Sequence, residues 1–302
     1  MGSEMCIRDR DNISLHWKIV RGGDGMKPAV DPRNARHLYT TDGNNNLNYS
    51  SVDAGASWKL LVMPRNQSAE YQRPFIVDPN NESRLYTGYG DVYRSDDRGV
   101  TWKKLGLPNS GSQKIIAIEV AETNSDIIYA AFSQPCWSEK VRSRLYRSSD
   151  GGITWVDISE GLNGASWNSI SSIAIHPENP DKIIVGFRGG WSVKAMMGEL
   201  LPDSIYHWRD ISNGLPEDGD VNALCFDPAK VFELYAATHH GVWKRSGESG
   251  VWIDFNSAVE THDAKPDNNL PAIFTSDIAI DTINRLIFAG THGAGIWMCD
   301  LR

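Results

Sequence analysis

The chain has 302 residues and a mass of 33.6 kDa, a length that fits one large domain or two ordinary ones. Its 38 acidic against 30 basic residues give a formal net charge of −8, which opposes a broad phosphate-binding surface and predicts no nucleic-acid partner. No apolar run approaches the roughly 18 residues of a membrane span. Eleven Trp and 27 Gly, set among short apolar runs, favour an all-β protein with many tight hairpins.

Residues 1–10 match nothing later in the chain, and the string MCIRDR resembles translated sequencing-adapter read-through in metagenomic reading frames. We therefore treat 1–10 as a non-native leader and 11–302 as a single domain. The natural N-terminus, with any secretion signal, is then expected to lie upstream of Asp11.

A unit of four strands recurs in fixed order along the chain. An apolar first strand stops at a turn, marked by Pro at 32, 79, 177 and 228, because Pro cannot donate to a ladder. A short apolar second strand carries the pairs Leu38–Tyr39, Leu85–Tyr86, Ile128–Tyr129, Leu234–Tyr235 and Ile287–Phe288. A third strand then enters a hairpin, and the fourth strand is predicted to carry Trp at 58, 102, 155, 208 and 252. The spacing of 44 to 53 residues brackets that of propeller repeats, which predicts about six blades.

The hairpin between the third and fourth strands holds the most specific pattern, S-x-D-x-G-x-[ST]-W. Three copies match it, around Asp53, Asp97 and Asp150. This pattern resembles the Asp-box, or bacterial neuraminidase repeat, found in sialidases, sortilin-like receptors, xyloglucanases and photosystem assembly factors. The resemblance spans roughly residues 15–300 and implies an all-β propeller of about six four-stranded blades. Because the box occurs with unrelated activities, it does not supply the function.

Each box position has a structural reason. An Asp in a tight turn accepts hydrogen bonds from backbone N–H groups just ahead of it, and Gly permits positive φ. The following Trp is expected to pack between neighbouring blades. We therefore interpret Asp53, Asp97 and Asp150 as structural residues. Two further copies have decayed, one around Glu248 and one that keeps only Trp208.

In a propeller the usual ligand face lies opposite the box, on the connections between second and third strands. Two of these connections are predicted to be long, residues 131–146 with Trp137 and Arg142, and residues 186–206 with Arg188 and Trp191. Aromatic residues beside Arg and carboxylates suit the binding of sugar rings. The alternative that these loops are flexible surface segments without a function stays open.

Histidines follow the second strands of the last two repeats. His239 and His240 follow Tyr235, and His292 follows Phe288 at the equivalent place, so adjacent blades are expected to aim them at one opening. A metal site would need a third ligand and a second shell that the pattern lacks, so we predict neither metal nor cofactor. The four cysteines show no CxxC spacing, and the thiol state of Cys136, Cys225 and Cys299 stays open.

Asp42 is the single candidate catalytic residue. The Thr41–Asp42 pair resembles a segment of xyloglucanases that carries a catalytic Asp, with the spacing different by one residue. An Asp-Gly-Asn turn is also ordinary loop chemistry. Residues 72–75 only loosely resemble the Arg-Ile-Pro motif of sialidases, and no Tyr–Glu pair accompanies them, which disfavours sialidase activity.

Two ways of ending the fold stay open. The strand predicted at Leu15 to Val20 either pairs with Gly295 to Cys299 and completes the sixth blade, or remains from an upstream blade of a larger propeller.

The favoured function is a secreted or periplasmic, monomeric propeller that recognises a polysaccharide or other glycan. If it is an enzyme, we expect a glycoside hydrolase with paired carboxylates. The alternative is a non-catalytic protein–protein interaction scaffold. The expected ligand residues are Asp42, Trp137, Arg142, Arg188, Trp191, His239, His240 and His292.

Overall fold

A computed structural model describes residues 27–42, 47–64, 69–70, 73–108, 113–132, 143–162, 169–189, 193–256 and 269–302. These residues form 23 β-strands in six antiparallel sheets, and the assigned elements include no helix. The chain divides into two compact units, Lys18–Glu160 and Gly161–Arg302, with three sheets in each. Each sheet is called a blade below, and the all-β prediction with about six blades is confirmed.

The first unit contains blades 1 to 3, each with four strands in sequential order. Their strands are β1 Ala29–Asp31, β2 Asn34–Asp42, β3 Leu47–Ser51 and β4 Lys59–Leu60; β5 Phe75–Asp78, β6 Asn81–Gly88, β7 Val92–Ser95 and β8 Lys103–Lys104; β9 Ile115–Ala121, β10 Asn124–Phe132, β11 Arg144–Ser148 and β12 Val156–Asp157.

The second unit contains blades 4 to 6, of which the last has three described strands. Their strands are β13 Ser169–Ile175, β14 Lys182–Arg188, β15 Ala195–Leu200 and β16 Tyr206–Asp210; β17 Val221–Phe226, β18 Glu233–Thr238, β19 Gly241–Ser246 and β20 Trp252–Asp254; β21 Thr275–Asp281, β22 Leu286–Thr291 and β23 Gly295–Asp300.

The second strands of blades 2, 3 and 5 carry tyrosines that are fully buried between neighbouring elements. Tyr86, Tyr129 and Tyr235 on these strands are all 0% exposed. In the first unit, apolar clusters join blade 1 to blade 2 and blade 2 to blade 3. In the second unit, equivalent clusters join blade 4 to blade 5 and blade 5 to blade 6. The cores therefore lie between consecutive blades of each unit.

The three boxes close their hairpins as the sequence predicts. The Asp97 carboxylate accepts the Thr101 backbone N–H at 2.8 Å and the Thr101 hydroxyl at 2.6 Å. The Ser95 hydroxyl accepts the N–H of Gly99, which has φ 86°. Asp53 and Asp150 make the same contacts in blades 1 and 3. The pattern thus encodes a turn in which the Asp and Ser side chains accept hydrogen bonds from backbone N–H groups.

The tryptophans after the boxes lie one residue earlier than predicted. Trp58, Trp102 and Trp155 immediately precede the fourth strands, since β4, β8 and β12 are only two residues long. The predicted packing between blades holds for Trp102, whose Nε1–H donates to the Val62 carbonyl beyond blade 1 at 2.8 Å, and for the buried Trp252, which donates to the Ile211 carbonyl at 2.6 Å.

The decayed box of blade 5 keeps its hairpin by other means. No carboxylate accepts its turn N–H groups among the described residues. The Arg245 guanidinium donates to the Gly250 carbonyl and, at 2.6 Å, to the Glu248 carbonyl. The Glu248 side chain turns away and accepts from Lys182 Nζ of blade 4 at 2.8 Å. A cation on the strand has replaced the anion in the turn.

Two further predictions concern the connection at residues 186–206 and the strand at Leu15 to Val20. The long connection predicted at residues 186–206 is wrong, because β15 occupies Ala195–Leu200 and pairs with both β14 and β16. The pairing of Leu15 to Val20 with β23 falls outside the described residues and stays a prediction.

Candidate functional site

The polar residues selected from the sequence lie where second strands join third strands. Asp42 ends β2 and Arg188 ends β14. His239 and His240 connect β18 to β19, and His292 connects β22 to β23. In each blade this end is opposite the hairpin to the fourth strand. Trp137, Arg142, Trp191 and the Asp42 side chain fall outside what the structure describes.

Arg188 is held by a relay of amides across the three blades of the second unit. Its Nε–H donates to Asn222 Oδ1 at 3.1 Å, and Asn222 Nδ2 donates to the Thr275 carbonyl at 2.8 Å. Asn222 is the second residue of β17 and is 5% exposed, so its side chain is held inside the unit. The guanidinium plane of Arg188 is consequently set by residues of blades 5 and 6.

A loop of residues 216–220, named here the acidic strap, reaches β17 across the same end of the unit. From the blade 4 side, the Gly189 N–H donates to Asp220 Oδ1 at 2.8 Å and Lys194 Nζ donates to the Gly219 carbonyl at 2.8 Å. From the blade 5 side, His240 Nε2 lies 2.9 Å from Asp218 Oδ1 and His239 Nε2 lies 3.7 Å from Asp220 Oδ2. The strap therefore joins two connections that were predicted separately.

An aromatic row extends the site to blade 6. The His239 ring lies 4.7 Å from the Phe274 ring, and Phe274 lies 6.0 Å from His292, centroid to centroid. The backbone N–H of His292 donates to the Phe274 carbonyl at 2.8 Å, which fixes the last pair. The rings of His239 and His292 therefore both contact the Phe274 ring, and the convergence of the whole predicted set stays a prediction.

Burial shapes the electrostatics of the two cations. Desolvation lowers the pKa of Arg188, and the Asp220 charge opposes that shift. Desolvation also lowers the pKa of Lys194, which is 5% exposed, against the attraction of Asp220, Asp218 and Glu217. These two cationic donors therefore lie in a partly desolvated environment, where polar contacts are stronger than in water.

The described parts of the chain contain no group of three or more His, Cys, Asp or Glu side chains arranged to hold a metal ion.

The first unit has a buried polar cluster at the same end of its blades. Arg73 is 0% exposed, and its guanidinium donates to Tyr89 Oη at 2.9 Å and to Asn48 Oδ1 while covering the Tyr89 ring. Asn48 in turn donates to Thr41 Oγ1, next to Asp42. Arg73 supports the connection that carries Asp42 and is too buried to touch solvent.

Sequence reasoning missed the residues that support the site. Asn222, Asp218 and Asp220 were not selected, because single polar residues near strand starts are common, and Phe274 was not selected because apolar residues next to strands are common as well. The signal that was present is the run Glu217-Asp218-Gly219-Asp220 directly before an apolar strand.

Comparison with known proteins finds that this chain is similar to sortilin-like and xyloglucanase-like proteins. Residues 46–188, just under half of the chain, match the family model described as Sortilin, neurotensin receptor 3. The xyloglucanase Xgh74A of Acetivibrio thermocellus is 28% identical over 159 residues, which cover 42% of this chain and 18% of that protein. The chain therefore spans about a fifth of the length of that curated relative.

Solved structures agree on the fold. The GH74 enzyme of Niastella koreensis matches with a TM-score of 0.66 at 19% identity, covering 91% of this chain and 45% of its own. YCF48 bound to a D1 peptide matches with a TM-score of 0.54 at 11% identity, covering 92% and 81%. At these identities the likeness shows the β-propeller fold alone. The described residues also include no helix with both the length and the apolar character to cross a bilayer.

Proposed function

We propose that this chain is a glycoside-hydrolase-like propeller that binds a neutral polysaccharide of the xyloglucan class. The observation that carries the proposal is the sequence match to curated xyloglucanases, 28% identical over 159 residues in one case and 25% over 175 in another, from Hypocrea jecorina. The proposal includes an extracellular or periplasmic location, where such polymers are met, and a monomeric state.

The second unit supplies the chemistry that this ligand requires. Sugar rings offer apolar faces for stacking and hydroxyls for hydrogen bonds. Arg188 presents N–H donors beyond the one that Asn222 occupies, and the row of His239, Phe274 and His292 presents ring surface beside them. Trp137 and Trp191, from their place in the sequence, are proposed to add stacking faces.

Affinity electrophoresis in gels with xyloglucan tests the binding. We expect Arg188→Ala to raise the dissociation constant about tenfold, because the variant loses a charged hydrogen-bond donor. The matched control is Arg33→Ala, which removes an exposed arginine at the box end of blade 1. Equal retardation of Arg188→Ala and the wild type would contradict this surface.

Hydrolysis is a separate part of the proposal and rests on Asp42. If Asp42 acts as one of two carboxylates, Asp42→Asn abolishes the release of reducing ends and leaves retardation in the gel unchanged. A chain that binds xyloglucan without releasing reducing ends in the wild type would be a binding module only.

A protein-interaction scaffold is the second candidate, and the likeness to YCF48 bound to a D1 peptide favours it. Its outcome is distinct: a folded wild type that no polysaccharide retards, in gels with xyloglucan or with other glucans, would move the assignment to this reading.

A further inference from the structure

The acidic strap, residues 216–220, is tied on both sides by contacts of different chemistry. Toward blade 4 the ties are a backbone N–H from Gly189 and the ammonium of Lys194. Toward blade 5 both ties are histidine–carboxylate pairs, His240 with Asp218 and His239 with Asp220. Only the blade 5 ties involve groups that ordinarily change charge between about pH 5 and 8.

The backbone of His240 and the ring face of His239 have other partners. The contact between each imidazole and its carboxylate is therefore the one that changes with protonation. The His240 N–H donates to Thr238 Oγ1 at 3.0 Å, and the His240 carbonyl accepts from Asn256 Nδ2 at 2.8 Å. The His239 ring packs against the Phe274 ring. Both imidazoles are about a third exposed, at 36% and 38%, so protons reach them freely.

Both acidic and basic groups lie around the two pairs. His240 faces Asp218, with Glu217 beside it and Lys194 behind the Gly219 carbonyl. His239 faces Asp220, with Arg188 on the far side of that carboxylate and His292 beyond Phe274. Three carboxylates therefore oppose two fixed cations, both of which are held by other partners.

We propose that the two histidine–carboxylate pairs form a pH-dependent latch that closes the acidic strap over the ligand-binding end of the second unit in mildly acidic solution. When His239 and His240 are protonated, each pair gains an ion pair and the strap is held from both sides. When the imidazoles lose their protons at higher pH, that contribution is lost and only the blade 4 ties remain.

The consequence reaches the proposed binding residues through Asp220. That carboxylate accepts the Gly189 N–H, so a held strap also holds the connection that follows Arg188. Ligand binding at this end is accordingly tighter in acid. This last step rests on the proposed function, whereas the latch itself does not.

Amide hydrogen exchange tests the latch without any ligand. We compare protection of the Gly189 amide, corrected for the intrinsic pH dependence, at about pH 5.5 and about pH 8. Exposed pairs of this kind correspond to about a 1.5- to 5-fold gain, expected at the lower pH in the wild type. In Asp218→Asn we expect the larger part of that gain to disappear, since the closer pair is lost.

Asp203→Asn is the matched control. Asp203 and His207 form a pair at 2.7 Å with similar exposure, in the hairpin of blade 4 at the opposite end of the unit. This variant removes the same chemistry and leaves the Gly189 gain intact. A wild-type Gly189 amide with no acid gain, or an equal gain in Asp218→Asn, would overturn the latch. Failure of xyloglucan binding with a normal Gly189 gain would overturn the proposed function alone.

Discussion

At the scale of single residues, the box aspartates combine exposure with dense hydrogen bonding. Donation by the Thr101 hydroxyl and N–H lowers the pKa of Asp97 to about 2, and donation by Thr154 lowers the pKa of Asp150 to about 2. The carboxylates are therefore ionised in the folded chain far into acid, which suits a turn acceptor. The low pKa values do not suit a general acid near neutral pH.

Asp97→Ala tests the structural role. We expect the free energy of unfolding to fall by about 1 kcal/mol, because the turn donors lose their acceptor but can reach water. Urea unfolding followed by Trp fluorescence measures the change. Retardation by xyloglucan should be unaffected, and a loss of binding at unchanged stability would reverse the assignment.

The same aspartate predicts a pH dependence with a definite sign. Its folded pKa lies below the unfolded value of about 3.9, so its contribution is present above about pH 4 and is lost as the pH falls toward 2. The difference in unfolding midpoint between wild type and Asp97→Ala should therefore be constant from about pH 5 to 8 and shrink toward pH 2. A difference that grows in acid would contradict the assignment.

The candidate ligand residues were predictable one by one, whereas their supports were not. Arg188 and the histidines follow recognisable second strands, so their end of the blade follows from strand order alone. Asp220 and Asn222 make contacts across 31 and 53 residues of sequence, which a local pattern does not record.

At the scale of the element, tryptophans at equivalent sequence positions have different surroundings. Trp252 is 2% exposed and bonds to the Ile211 carbonyl of the preceding blade. Trp208 stacks on Tyr206 of its own strand and covers Gly198, where an added Cβ would meet the indole at 2.5 Å. Trp252 connects two blades, and Trp208 covers one.

Truncation of the two indoles should therefore have unequal effects. We expect Trp252→Ala to lower the free energy of unfolding by about 3–5 kcal/mol, as loss of a buried aromatic does. Trp208→Ala, at a half-buried site, should cost clearly less. Parallel urea titrations make the comparison, and equal losses would show that the contact between blades has no special weight.

Strand prediction failed where the local composition was least typical. The segment Ala195-Met196-Met197-Gly198-Glu199-Leu200 lacks the β-branched and aromatic residues that mark the other third strands, and no box follows it. Its strand is imposed by pairing with β14 on one side and β16 on the other. The third strands of blades 1, 2, 3 and 5 run into a box or a decayed box, whose turn chemistry marks their ends.

At the scale of the whole molecule, net charge separates the ligand classes. A chain of net charge −8 that binds a neutral polymer releases few counterions, so its affinity should be nearly constant between about 50 and 500 mM NaCl. Affinity electrophoresis with xyloglucan at several salt concentrations measures this. A steep loss of binding with salt would indicate a charged ligand in place of the neutral polymer.

The blade 5 hairpin, in which Arg245 holds the turn carbonyls, has a consequence for how such genes are recognised. A search that counts intact boxes finds three repeats here, although the described residues contain six sheets. The box pattern detects only hairpins in which a carboxylate accepts from backbone N–H groups. It misses hairpins in which a cation donates to backbone carbonyls instead. Repeat counts for proteins of this kind should therefore include hairpins in which an arginine of the third strand donates to the turn carbonyls.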